Sequence, residues 1–279
     1  MKKILIPTDL SDNAANAVVY ALSFAKDHAL ELLFLHATHP IVDIPDVSLE
    51  FYDPIVYQDE EEQRSFVRLH LEKVAKKLGI DLALINYQII LKLGFAVDEI
   101  ITTSEEKKCD LIIMGTQGAS GLDKLFLGSI TASVIKKSKI SVLAIPHSYV
   151  FSTPKKIVFA TDYEGISNRK TLTPLFTIAE MFDSKVMMFH AIEAKEPIAA
   201  YIEELQVWKT EKNFHHIKHT NSIANCESIA DGILDFATEN EADMISLIPH
   251  TYNFFSNLLH KSVSKKIAFE SKIPILALH

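Results

Sequence analysis

Glycine is scarce in this chain, eight residues in 279, and four of the eight are crowded between Met114 and Ile135. Cysteine is scarcer still. Cys109 and Cys226 stand far apart and neither belongs to a C-x-x-C pair, so no disulfide framework is expected and both thiols read as reduced and structural. Long apolar runs are missing too, since none approaches the roughly 20 residues that cross a bilayer. The run after the two opening lysines ends within four residues at Thr8 and Asp9, unlike the core of a secretory signal, and a cytoplasmic location is the expectation. Positive charge is in deficit: the net charge is −8 and no basic stripe offsets it, which argues against DNA or RNA as a partner. A small anion remains open as a local ligand.

Hydrophobic residues make up 48% of the chain and charged ones 23%, the balance of a globular protein. Its length is about twice the common domain size of roughly 100–150 residues, and the sequence repeats itself accordingly. "KKILIPTDLSD" at 2–12 returns as "KKIVFATDYEG" at 155–165, and "LLFLHA" ending at Ala37 returns as "VMMFHA" ending at Ala191. "CDLIIMGTQG" matches "ADMISLIPHT", and "SKISVLAIPH" matches "SKIPILALH". A tandem duplication follows, with domains over 1–148 and 149–279 and the joint near 147–154.

In the first half, short β-branched runs at 3–7, 31–36, 84–91, 110–114 and 141–145 predict strands too continuously apolar to have a wet face. Helical periods at 12–28, 58–78, 95–108 and 129–138 separate them. That alternation predicts an α/β fold: a doubly wound, Rossmann-like parallel sheet covered by helices on both faces. The segment 38–57, rich in Pro, Asp and aromatics, reads as a long loop, either functional or a packed surface excursion.

The crowded glycines follow the fourth strand as Gly115-x-x-Gly118, nine residues, then Gly128-Ser129 opening a helix. Glycine admits positive φ and lets backbone N–H groups approach a ligand. A helix amino terminus adds unpaired donors and the positive end of its dipole. Gly128, Ser129 and the N–H groups of Ile130 and Thr131 then form an anion seat, with Ser129 either capping the helix or donating to a phosphate. Two commoner phosphate motifs are excluded. The first strand runs into "PTDLSDNAANA" without the G-x-G-x-x-G of dinucleotide binders, and "GLDKLFLGS" is not a P-loop.

The G-x-x-G, nine residues, G-[ST] spacing resembles that of the universal stress protein family, and the chain is similar to two such domains fused. The resemblance implies a five-stranded sheet of order 3-2-1-4-5 in each half, of the adenine nucleotide alpha hydrolase-like type. It also implies ATP as ligand, with Mg held through the phosphates. Carried over by position, Pro7, Thr8 and Asp9 follow the first strand, with Asp9 near ribose and adenine; Ala37 offers its backbone to the adenine edge. Met114 and Gly115 line the sugar side, while Gln117, Gly118, Gly128, Ser129, Ile130 and Thr131 surround the phosphates. Asp9 has a second reading as a helix cap or Asx turn, and Gln117 stands where a strong triphosphate binder would carry a basic residue.

No catalytic set accompanies this site. His36 and His190 end equivalent strands and need no proton-transfer role, and the cluster His215, His216 and His219 would need a fourth ligand such as Cys226 to hold zinc. The expected function is an adenine-nucleotide-binding stress-response or signalling module. Alternatives are a slow ATPase or nucleotide-dependent enzyme, or a scaffold holding an apolar ligand in its second half. The fifth strands are apolar edges, which the family's dimers pair with each other, so an intramolecular pseudo-dimer is expected and a further homodimer is open. The halves differ at the glycines. Ile248 stands opposite Gly115, Thr251 opposite Gly118, Phe254 opposite Gly121 and Lys261 opposite Gly128, while Asp162 and Ser262 match Asp9 and Ser129. One nucleotide site, in the first half, is the expectation.

Overall fold

The structure, a computed structural model, describes residues 1–38, 60–116, 128–161, 169–193, 214–249, 266–267 and 270–279. Through the first half the elements are β1 (Lys3–Pro7), α1 (Asp12–Ala25), β2 (Glu31–Thr38), α2 (Glu60–Leu78), β3 (Asn86–Leu93), α3 (Ala96–Glu106), β4 (Leu111–Gly115), α4 (Ser129–Lys137) and β5 (Val142–Ile145). After them come β6 (Lys156–Ala160), α5 (Arg169–Phe182), β7 (Lys185–Glu193), β8 (Lys218–Cys226), α6 (Ile229–Glu239), β9 (Met244–Leu247) and β10 (Ile275–Ala277). The third strand starts two residues later than its apolar run suggested. Asp81 accepts from the Ala83 N–H and turns Leu82–Leu84 into a short 3-10 segment first.

All ten strands form one sheet, ordered β3-β2-β1-β4-β5-β10-β9-β6-β7-β8. The order 3-2-1-4-5 therefore appears twice. The two runs meet at β5 and β10, the antiparallel neighbours in an otherwise parallel sheet, with Leu143 opposite Leu276.

Side chains along each strand alternate between two cores, as the period of two requires. Ile4, Ile6, Leu32, Phe34, Leu111 and Ile113 pack toward α1 and α2, while Leu5, Leu33, Leu35, Ile112 and Met114 pack toward α3 and α4. Each core crosses the β5–β10 seam. Covering both faces explains the unbroken apolar strands. Burying one Leu or Ile this completely contributes about 1.5–3 kcal/mol.

The joint between the repeats is held rather than slack. Asn16 on α1 donates to the carbonyls of Pro146 (2.8 Å) and Tyr149 (2.9 Å). The Tyr20 ring meets Phe151 edge-on at 5.0 Å, and Phe24 meets Phe182 of α5 at 4.9 Å. At the amino ends of the strands, Asp110 accepts from the Lys2 and Lys3 N–H groups, and Asp243 accepts in the same way from Lys155 and Lys156.

Candidate functional site

The strand order reverses between β1 and β4, and the chain leaves these strands in opposite directions, opening a crevice beyond their carboxyl ends. A cleft with about 710 Å³ of empty space, part of it open solvent, lies there. Ten of the residues picked out above line it: Pro7, Thr8 and Asp9 after β1, Ala37 on β2, Met114 and Gly115 on β4, and Gly128, Ser129, Ile130 and Thr131 at the start of α4. Gln117 and Gly118, with the rest of the glycine loop, lie outside the described residues, as do 39–59, Asp162, Thr251, Phe254, Lys261 and Ser262. Ala14, Leu35, Ala96 and Ile100 complete the lining.

The loop after β1 is fixed by its own hydrogen bonds. Asp9 Oδ1 accepts from the Ser11 N–H (3.0 Å) and hydroxyl (2.5 Å), and Ser11 Oγ accepts from the Ala14 N–H (3.2 Å). Asp9 thus makes an Asx turn, and Ser11 caps α1. Between them Leu10 has φ of 62°, a left-handed conformation that costs a residue with a Cβ about 1–2 kcal/mol. The Thr8 hydroxyl accepts from the Leu10 N–H at 3.1 Å and helps hold that turn.

The start of α4 is organised by its backbone, and one of the two readings of Ser129 falls away. Ser129 does not cap α4: Gly128 occupies the cap position with φ of −59° and, as a glycine, gives no side-chain cap. Ser129 is the exposed first helical residue, its hydroxyl outside the capping role. Positive φ is also not what Gly115 and Gly128 supply, because among the described glycines only Gly79 and Gly94 have it. Finally, the Thr131 side chain is buried and donates to the Gly115 carbonyl at 2.7 Å, tying α4 to the end of β4. Thr131 braces the seat with its hydroxyl.

Two helices therefore point uncapped amino termini at the cleft. Phe95 holds the cap position of α3 and, like Gly128, gives no side-chain cap. Leaving donors unmet at a helix start forgoes about 1 kcal/mol that a Ser or Asp cap contributes. At α4, whose first turn carries no acidic residue, the arrangement suits an anion, whereas α3 already holds Asp98 and Glu99 in its first turn.

The histidines have backbone duties. His36 Nδ1 donates to the Thr8 carbonyl at 2.8 Å, and His190 Nδ1 to the Thr161 carbonyl at 2.7 Å. His219 donates to the Ile217 carbonyl and His216 faces Glu180 at 3.4 Å; among the described residues no three ligating side chains converge.

The four lining residues missed in the sequence are small or aliphatic and carry no chemical signature. Ala96 and Ile100 sit one turn apart on α3, directly after Gly94, and that spacing after a strand end was the one available signal.

The fold and cleft define a doubly wound α/β protein with a ligand crevice at its topological switch point. The family model described as the universal stress protein family matches residues 1–146. The chain belongs to that family. A universal stress protein of Methanocaldococcus jannaschii is 33% identical over 147 residues, 52% of this chain and 81% of its own. A crystal structure of a universal stress protein from Archaeoglobus fulgidus, 23% identical, covers 99% of this chain and 97% of its own with a TM-score of 0.68, a likeness of fold. A universal stress protein solved in complex with cAMP is 25% identical and covers 53% of this chain and 98% of its own, with a TM-score of 0.39.

Proposed function

We propose that the chain is an adenine-nucleotide-binding stress-response or signalling module, with ATP and its Mg held at one site in the first of two fused domains, 1–148 and 149–279. The observation that carries this reading is the convergence of Pro7, Thr8, Asp9, Ala37, Met114, Gly115 and Gly128 to Thr131 on one cleft below two uncapped helix starts. The base lies between Pro7, Ala37 and the aliphatic wall of Ala96 and Ile100. Ribose reaches Asp9, and the phosphates take the N–H groups of α4 with Gln117 and Gly118. Mg is bound through the phosphates. Nucleotide occupancy is the proposed output, with slow ATP hydrolysis as the alternative. The β5–β10 pairing makes the chain an intramolecular counterpart of a dimer, working in the cytoplasm.

Calorimetric titration with ATP and Mg²⁺ is expected to give a stoichiometry near one and micromolar affinity, on the order of −8 kcal/mol. A parallel titration with cAMP reads how far the phosphate seat contributes. Gly118→Val is expected to abolish ATP binding, because a β-branched side chain fills the space proposed for the phosphates. Absence of binding by the unaltered protein, or a stoichiometry of two, refutes the reading.

A further inference from the structure

The geometry points to His36 as a positioning residue that stops the β1–β2 ladder one bond early and so keeps the backbone of Ala37 for the ligand's base. Pro7 pairs with Leu35 at the last β1 position, and the Thr8 N–H still donates to the Leu35 carbonyl at 2.8 Å. Successive residues of a strand present their N–H and C=O groups to opposite neighbours. The Leu35 carbonyl faces β1, and the Thr38 carbonyl faces β3, where the Gly94 N–H donates to it at 2.9 Å. Ala37, two residues after Leu35, therefore presents its N–H and C=O toward β1, beyond the end of that strand and at the wall of the cleft.

Were the ladder to continue, the Ala37 N–H would donate to the Thr8 carbonyl. That carbonyl accepts from the His36 imidazole instead. Thr8 is buried, so its carbonyl needs a partner, and the side chain supplies one without using the backbone donor next to it. Asp9 and the left-handed Leu10 follow directly, which places the imidazole at the root of the whole turn. The second half repeats the device: the Thr161 N–H donates to the Phe189 carbonyl at 3.1 Å, and His190 takes the Thr161 carbonyl.

This inference rests on the nucleotide reading for its ligand, but the clamp has a test of its own. In the unliganded protein the Ala37 amide should exchange with deuterium at least about tenfold faster than that of Leu35, since only the latter lies inside the ladder. In His36→Leu the ladder should close by one bond and the Ala37 amide slow accordingly. That variant should lose about tenfold in affinity, equally for ATP and for adenosine, because the loss falls on the base and leaves the phosphates alone. His36→Asn, whose side-chain amide nitrogen stands in for Nδ1, should restore both affinity and fast exchange. His190→Leu should leave ATP binding unchanged. Slow exchange of Ala37 in the unaltered protein, a His36→Leu loss confined to ATP, or no rescue by asparagine overturns the role. If His36→Leu does not fold, the exchange rate of Ala37 in the unaltered protein and the affinity of His36→Asn decide. If the unaltered protein binds no ATP, the proposed function fails while the exchange of Ala37 still decides the clamp.

Discussion

At the ends of β1 and β6 the two halves are built alike; at the ends of β4 and β9 they part. Thr8 and Thr161 make the same ladder bond and meet the same imidazole. β4 ends on Gly115, and Thr116 follows with its N–H donating to the Ile145 carbonyl at 2.9 Å. After β9 the opposite residues are Ile248 and Pro249, and proline has no N–H to extend the ladder. The helices differ in the same direction. α3 starts without a side-chain cap, whereas its counterpart α6 is capped by Ser228, and its first-turn Asp231 is bound by Lys266 at 2.6 Å. The second half satisfies its helix start internally. The first half leaves the start of α3 without a side-chain cap, and in the proposed reading this difference goes with a kept and a lost seat.

The largest effect should come from filling that seat with charge. Gly128 has an ordinary φ, so Gly128→Asp places a good cap on α4 without backbone strain. A carboxylate about 4 Å from a phosphate repels it by about 4 kcal/mol at an effective dielectric of 20, roughly a thousandfold in affinity. The melting temperature should hold or rise while titration shows ATP binding lost. A protein that binds ATP equally well after the change would place the working site elsewhere.

Acid should separate the halves next. Burial pushes His279, which follows β10 where the first half has Pro146, down to about 4 from the usual 6.5. The unfolded chain then takes up this proton first, so the contribution is complete above pH 6.5 and is lost as pH falls toward 4. The loss amounts to about 2 kcal/mol by pH 5 and about 3 by pH 4. His70 on α2 shifts in the same direction, through burial and then Lys73, with Asp12 and Asp9 opposing. Urea midpoints measured at pH 7 and pH 5 should converge in His279→Phe relative to the unaltered protein. Parallel pH dependence in the two proteins would assign the acid lability to other groups.

The strands could be read from the sequence because they leave a pattern, whereas their order and most of the cleft residues came from the resemblance that the glycine spacing carries. Continuous apolar runs mark doubly covered strands, and the repeats "KKILIPTD" and "KKIVFATD" mark where each half begins. Functions that depend on the backbone left no such mark. The left-handed residue after β1 is Leu10 and not a glycine, the cap of α4 is a glycine and not Ser129, and Thr131 turned its hydroxyl inward to Gly115. Residue type predicts what a side chain is able to do. Which of those capacities is used depends on neighbours brought in by β4, β5 and α4 from different parts of the chain.

Helix capping gives a smaller and reciprocal test. Phe95→Ser should supply α3 with the cap that α6 already has and raise stability by about 1 kcal/mol, while Ser228→Ala should lower it by a similar amount. Chemical denaturation reads both. If both changes are neutral, capping is not what distinguishes the two helix starts.

The smallest effect concerns the hydroxyl of Tyr20, and it sets the two faces of the joint against each other. Tyr20 is almost fully buried on α1, packed against Tyr149 and Phe151, and its hydroxyl has no hydrogen-bond partner among the described residues. Burial, with Tyr149 and Asp243 nearby, holds its pKa far above the usual value, so it stays a neutral phenol. On α5 the exposed Thr173 has a hydroxyl that is satisfied by the Arg169 carbonyl at 3.0 Å. Removing an unsatisfied buried hydroxyl removes a desolvation cost, so Tyr20→Phe should raise stability by up to about 1 kcal/mol. The ring keeps its contacts with Phe24 and Phe151. Thr173→Val should lack that gain, since it gives up a bond that is made. Should Tyr20→Phe instead lower the urea midpoint, the hydroxyl has a partner in solution, and the aromatic strap over α1 is held by a polar contact as well as by packing.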